Sequence, residues 1–186
     1  SADAAAMLLG LNKFWDLRIT MDELMTLGAK LGTDVPFILK AGTASGTGSG
    51  EKLDYHPSPE PHWLLLVKPE ISVSTAVAYG RYNGQSNATS DTITNVLHHL
   101  EQNDMYGAFT NSANTFEELL FPDHDELITC KQFFTSRDYP TIMTGSGPTM
   151  VVLLEKPAQA LSLQEEIKKA GHNWLSLITK TCTQEE

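Results

Sequence analysis

The sequence predicts an α+β fold, and three observations carry that prediction. From residue 141 onward the chain reads strand, glycine-rich turn, strand, helix, strand, the tail of a split β-α-β, ferredoxin-like sheet. Residues 1–31 read as helix, in two pieces, with no strand ahead of them. Between these patterns Pro57, Pro59 and Pro61 stiffen a connector, beyond which the order of elements changes. The expected organisation is one domain over residues 1–56 and a second over residues 57–186.

The first helix runs to about Phe14 or Trp15. Ser1-Ala2-Asp3-Ala4-Ala5-Ala6 reads as the inside of an amphipathic helix from its first turn. Ser and Asp suit a helix N-terminus, where unpaired amides and the helix dipole can hold an anion. A domain rarely opens on such a helix, so the expectation is a piece of a longer chain whose upstream part is missing. Its absence should leave an exposed apolar patch around Met7, Leu8 and Leu11. A second helix is expected from Thr20, a cap with Glu23 three residues later, to Leu31. Leu24, Leu27 and Leu31 recur at helical spacing and should face a core. Gly32 stops that helix. Residues 33–37 follow as a loop, because Val35 precedes Pro36 and is pushed out of the α region, and Asp34 then sits on an irregular turn. Residues 37–40 and 42–46 read as short extended pieces, with a flexible turn over 46–50.

The stiff connector covers residues 54–61. Residues 63–67 then form a continuous apolar run, the mark of a buried strand. A short helix is expected over 74–82, capped by Ser74 or Ser72, then a polar loop over 84–90 and an amphipathic helix over 91–103. Two more helices cover 111–120 and 125–136, separated at Pro122. A strand near Thr141, a strand over 149–154, a helix over 157–170 and a strand over 174–179 complete the pattern. Trp15, Trp63 and Trp174 read as core residues.

With 186 residues, 41% of them hydrophobic, the chain can bury one substantial core, or one domain and part of another. Its net charge of −10 counts against nucleic-acid binding, which needs a basic surface, but leaves room for a small phosphorylated ligand. No apolar run approaches the ~20 residues that span a bilayer. The two cysteines, Cys130 and Cys182, have no metal-ligand spacing and read as free thiols in a reducing, cytoplasmic compartment. His98 and His99 read as surface or boundary residues of a helix.

The segment of residues 141–152, Thr-Ile-Met-Thr-Gly-Ser-Gly-Pro-Thr-Met-Val-Val, carries the most chemistry. Gly145 and Gly147 let the backbone take positive φ and approach a ligand. Thr144 and Ser146 bring hydroxyls to the same turn, and its amides could face an anion. On these residues alone, a tight structural turn explains the pattern as well. Asp34 could equally cap a turn, and Tyr79 could be a half-buried helix tyrosine.

Three ordered segments nevertheless resemble the signatures of the GHMP small-molecule kinases: Ser1-Ala2-Asp3-Ala4-Ala5, Leu31-Gly32-Thr33-Asp34-Val35-Pro36-Phe37, and Thr144-Gly145-Ser146-Gly147-Pro148-Thr149. Further stretches narrow the resemblance to the branch acting on a cytidine diphosphate-methylerythritol substrate. They are Gly42-Thr43-Ala44 with Gly48-Ser49-Gly50-Glu51-Lys52-Leu53, Val67-Lys68-Pro69 leading to Val73-Ser74-Thr75-Ala76, and an Asn-x-x-Glu pattern at Asn114 and Glu117. The resemblance covers nearly the whole chain.

It implies the remainder of the family's N-terminal, ATP-binding domain over 1–56 and its ferredoxin-like C-terminal domain over 57–186. It further implies transfer of the γ-phosphoryl of ATP, with Mg²⁺, to the substrate's 2-hydroxyl in non-mevalonate isoprenoid synthesis. By resemblance Asp34 is the catalytic residue, accepting the hydroxyl proton or orienting the hydroxyl. Gly145, Ser146 and Gly147 lie by the phosphates, with Thr144 beside the substrate. Ser1 and Asp3 lie at the nucleotide phosphates, Ser1 being a possible Mg²⁺ contact. Tyr79 stacks on the cytosine and Thr75 helps hold the ribose or pyrophosphate. The chain departs from the pattern at its start. The glycines of the phosphate loop, the lysine that pairs with the aspartate and part of the cytidine pocket would lie upstream of Ser1, and Ala2 replaces the second serine. The chain alone is therefore expected to be inactive. The alternatives are a mevalonate- or homoserine-type kinase, against which Tyr79 and Val67-Lys68-Pro69 count, and a non-catalytic binding module.

Overall fold

A computed structural model describes residues 1–84 and 89–182. Most of the polar loop expected over 84–90 lies outside the described residues. The chain forms two compact units, Ser1–Ser58 and Pro59–Thr181.

The first unit holds helices α1 (Ala2–Phe14), α2 (Met21–Gly28) and α3 (Val35–Lys40), then an antiparallel hairpin of β1 (Thr43–Thr47) and β2 (Lys52–His56). Its small core joins Ala5 of α1, Leu24 of α2 and Val35 and Leu39 of α3. Thr20 starts α2 through a full capping box, its own amide donating to Glu23 Oε2 at 2.9 Å. This helix stops at Gly28, not at Gly32. A Cβ at Gly28 would lie 2.8 Å from Val35 Cγ1 and 2.9 Å from Leu39 Cδ1, so the bare backbone is what lets α3 close onto α2. Leu27 and Leu31, expected in the core, are consequently exposed, and Leu24 alone of the three is buried.

Val35–Lys40 is likewise a helix and not the expected loop and extended piece. Pro36 sits in its first turn, where the missing N–H costs no hydrogen bond and φ is already helical, and this outweighs the bias on Val35. Residues 54–56, expected in the connector, pair with β1 as part of β2. Trp15 lies just past the end of α1 and is exposed beside Phe14, not in a core. Leu8 packs on the small core and Leu11 is half-buried, so of the patch expected at Met7, Leu8 and Leu11 only Met7 is exposed, with Leu9 and Phe14 as the other exposed large apolar side chains of α1.

The second unit is built on a four-stranded antiparallel sheet in the order β4-β5-β3-β6, with β3 Trp63–Lys68, β4 Thr141–Met143, β5 Met150–Leu154 and β6 Leu175–Lys180. Counted within the unit the order is 2-3-1-4, the ferredoxin-like arrangement. Its helices are α4 (Thr75–Arg81), α5 (Ser90–Glu101), α6 (Met105–Asn111), α7 (Thr115–Leu120), α8 (Asp125–Thr135) and α9 (Pro157–Lys169), with a 3-10 turn at Phe121–Asp123. Leu65, Val67, Met143, Met150, Val152 and Leu154 share a core with Leu127 and Phe134 of α8, Leu163 and Ile167 of α9, and Trp174. Leu64 and Leu153 pack instead with Met105 and Ala108 of α6 and Val96 and Leu100 of α5. Burial of β3 on both faces explains its unbroken apolar run.

The helix expected over 111–120 begins only at Thr115, and Asn111 instead ends a separate helix, α6. Asp104 caps α6, which was not foreseen, by accepting from Gly107 N at 2.9 Å, and Asn114 caps α7 by accepting from Phe116 N at 2.9 Å. Each short polar side chain begins a helix of its own. Asp104 also accepts from or ion-pairs with His99 Nδ1 at 2.9 Å. The Gly107 amide, and then His99, hold the Asp104 carboxyl below the usual carboxylate range. A lowered native pKa gives stability that is present above the unfolded value and lost as pH falls through the native one. Replacing Asp104 by Asn should therefore lower the melting temperature at neutral pH. The gap to the wild type should close as pH drops below about 4, read from melting curves across pH.

Both cysteines are free. Cys130 is fully buried, and burial, then the Glu126 charge, pushes its thiol up to about 12, whereas Cys182 is exposed. A thiol reagent should modify Cys182 in the native chain and Cys130 only after denaturation. Fast labelling of both would overturn this core packing.

Candidate active site

The hairpin between β4 and β5 closes through residues 144–149. Thr144 N donates to Thr149 O at 2.9 Å and Gly147 N donates to Thr144 O at 3.0 Å. Gly145 and Gly147 have φ of +54° and +76°, a region that favours glycine, and the Gly147–Pro148 peptide is cis. The Gly147 amide is thus engaged inside the turn. Among the described residues the Gly145 and Ser146 amides have no hydrogen-bond acceptor, which leaves that pair to face an anion.

Helix α4 supplies the neighbouring groups. Ser74 caps it, and Thr75 Oγ1 lies 3.1 Å from Ser146 Oγ. Tyr79 stands four residues after Thr75, on the same face of the helix. It is 61% exposed and not half-buried, in T-shaped packing with Phe116 of α7 at 4.9 Å between ring centroids. An aromatic ring largely open to its surroundings suits stacking on a base. The structure therefore brings Thr75, Tyr79, Thr144, Gly145, Ser146 and Gly147 to one region of the second unit.

Asn114 and Glu117 support this region, a role the sequence reading did not give them. Asn114 Nδ2 donates to Met143 O at 2.6 Å and to Gly145 O at 2.9 Å. Glu117 Oε1 accepts from Met143 N at 2.7 Å, and its other oxygen pairs with Lys131 of α8. The signal was visible as a capping residue followed three positions later by Glu, ahead of an apolar run. In a capping box that Glu reaches back to its own helix start, and here it reaches across to β4.

The remaining candidates lie in the first unit. Asp34 occupies the N-cap position of α3, exposed, and its carboxylate makes no capping hydrogen bond among the described residues. Ser1 occupies the N-cap position of α1, with Asp3 in the first turn. Ser1 Oγ lies 3.6 Å from where a Cβ at Gly32 would stand, so the start of α1 adjoins the loop carrying Asp34.

The turn's backbone makes a sharp prediction. A Cβ at Gly147 would lie 2.6 Å from Met143 Sδ, while one at Gly145 would meet nothing within 4 Å. Gly147→Ala should therefore destabilise the second unit more than Gly145→Ala, where only the backbone conformation is penalised, by about 1–3 kcal/mol against about 1. Urea unfolding of both variants checks the order.

Residues 1–42 match the family model described as GHMP kinases N terminal domain. The chain is 37% identical over 169 residues to a 4-diphosphocytidyl-2-C-methyl-D-erythritol kinase of Exiguobacterium sibiricum, covering 90% of this chain and 59% of that protein. It is 37% identical over 171 residues to the protein of the same name from Bacillus mycoides, covering 90% and 58%. The chain thus spans 58–59% of the length of these curated relatives. Among solved structures it matches a 4-(cytidine 5'-diphospho)-2C-methyl-D-erythritol kinase with a TM-score of 0.74 at 24% identity, over 95% of this chain and 63% of that one. A homoserine kinase from Cytophaga hutchinsonii matches with a TM-score of 0.66 at 17% identity, over 93% and 61%. A mevalonate kinase from L. major matches with a TM-score of 0.64 at 15% identity, over 97% and 64%. Residues 1–42 are thus similar to the N-terminal domain of the GHMP kinases, and 90% of the chain is similar to curated proteins named 4-diphosphocytidyl-2-C-methyl-D-erythritol kinase.

Proposed function

We propose that the protein to which this chain belongs transfers the γ-phosphoryl of ATP to the 2-hydroxyl of 4-diphosphocytidyl-2-C-methyl-D-erythritol, a step of non-mevalonate isoprenoid synthesis. The observation that carries this reading is the 37% identity to relatives of that name over 90% of the chain. In this reading Ser1–Ser58 is part of the ATP-binding domain and Pro59–Thr181 is the C-terminal domain. Tyr79 stacks on the cytosine ring, and Thr75 holds the ribose or pyrophosphate. Thr144 lines the substrate, and Gly145, Ser146 and Gly147 form the phosphate turn, the first two offering their amides. Phosphoryl transfer depends on alignment and on neutralising charge more than on covalent help from the protein. Asp34, free of a capping role, orients the acceptor hydroxyl and takes its proton.

Mg²⁺ bound to nucleotide phosphates keeps several waters and needs only one or two protein oxygens. The exposed Ser1 hydroxyl and Asp3 carboxylate on the first turn of α1 fit that modest demand. When bound, the ion neutralises charge on the phosphoryl oxygens.

The test is ADP release with ATP, Mg²⁺ and the cytidine substrate, and with mevalonate or homoserine in its place. It is run on the chain and on a chimera carrying the remaining length of the Exiguobacterium sibiricum relative. Turnover of the cytidine substrate by the chimera alone is expected. Turnover of mevalonate or homoserine instead would overturn the substrate assignment, and no turnover of any would return the binding-module reading.

A further inference from the structure

Asn114 does two chemically separate things. Its Oδ1 caps α7 by accepting from Phe116 N. Its Nδ2 forks to Met143 O and Gly145 O, the carbonyls on either side of Thr144. Both fork partners are acceptors, so the amide nitrogen must face them. A trans peptide is planar, with C=O and N–H pointing opposite ways. The Gly145 carbonyl and the Ser146 amide share one such plane. Drawing the Gly145 oxygen toward α7 therefore turns the Ser146 N–H away from α7. Glu117 fixes the neighbouring strand through Met143 N, and Phe116, between the two, touches the Tyr79 ring.

We infer that Asn114 is a positioning residue that aims the Ser146 amide at the phosphate end of a bound cytidine nucleotide, while Phe116, two residues on, steadies the Tyr79 ring at the base end. The inference rests on the proposed reading of the turn as a phosphate-side element. It separates two ends of one ligand that a single structural segment would not distinguish.

Serine tests it, because Ser at position 114 keeps an N-cap oxygen but is too short for the fork. Asn114→Ser, which loses the bonds to Met143 O and Gly145 O, should fold with a lowered melting temperature and bind cytidine equally well, yet bind cytidine diphosphate about tenfold more weakly. Phe116→Leu should weaken cytidine and cytidine diphosphate alike. Binding is followed by titration of the chain with each ligand, and the chemical shift of the Ser146 amide is followed by NMR. Equal losses for both ligands in Asn114→Ser, or no loss for either, would overturn the inference. Should the wild-type chain bind no cytidine diphosphate, the Ser146 amide shift alone decides, and the substrate reading is left to the turnover test of the chimera. A moved Ser146 amide shift in Asn114→Ser then supports the positioning role, and an unchanged shift ends it.

Discussion

Asp34→Asn in the active chimera should lower kcat by about 10³-fold, within the span that removal of a general base or hydroxyl-orienting carboxylate produces. The fold of the first unit should be untouched. An aspartate at a helix start ordinarily earns its place by accepting from the backbone two or three residues ahead, and its loss then costs about 1 kcal/mol. Thr20, Ser74, Asp104 and Asn114 all do this, whereas Asp34 does not. An exposed carboxylate with no capping bond should leave stability within about 0.5 kcal/mol when changed to an isosteric amide. The two measurements separate the two readings of this residue. A large fall in kcat with unchanged melting marks a group that meets the acceptor hydroxyl. Unchanged kcat with a lowered melting temperature would mark a plain cap.

Phe134→Ala should have the largest effect on folding, costing about 3–5 kcal/mol in urea unfolding of the second unit. Domains hold only about 5–15 kcal/mol in total, so a loss of this size would leave the unit close to its threshold. Phe134 is fully buried, with ring centroids 5.1 Å from Phe133 and 6.3 Å from Trp174. These three side chains, with Leu127 and Ile167, join α8 and α9 to the sheet. Leu175→Ala provides the contrast. That leucine is 71% exposed on an edge strand, and its removal should change stability by no more than about 0.5 kcal/mol. Trp174 reports both unfolding curves by fluorescence, since its ring is stacked on His172 at 3.9 Å and its indole N–H donates to Glu126.

Elements with a clear period or an isolated cap could be read from the sequence. The strand at Trp63–Lys68, the helix at Pro157–Lys169 and the hairpin around Gly145 follow from apolar runs and punctuation that act over a few residues. The first unit resisted because its decisive contact is distant in sequence. Nothing near Gly28 says that Val35 and Leu39 will press against it, a contact that adds to Pro36 in fixing the helix Val35–Lys40. The split between α6 and α7 was hidden for another reason. Asn111 and Asn114 are both plausible capping residues, and the choice is made by Met143 and Gly145, which draw Asn114 out of any continuous helix. The residues that gather around the glycine turn were legible as types at fixed spacings. How the glycine turn is held was not, because its supports come from α7 and α8.

Lys131 and Cys130 are consecutive on α8, one reaching outward to Glu117 and the other sealed in the core. The turn's anchor on α7 is therefore tied, through Lys131, to a helix that is also a wall of the hydrophobic interior. A calorimeter should see one transition for the second unit and not two, because the 144–149 turn cannot soften while that wall stands. On the proposed reading of the turn, mutations chosen to stiffen the interior would then strengthen ligand binding without touching a single group assigned to contact it.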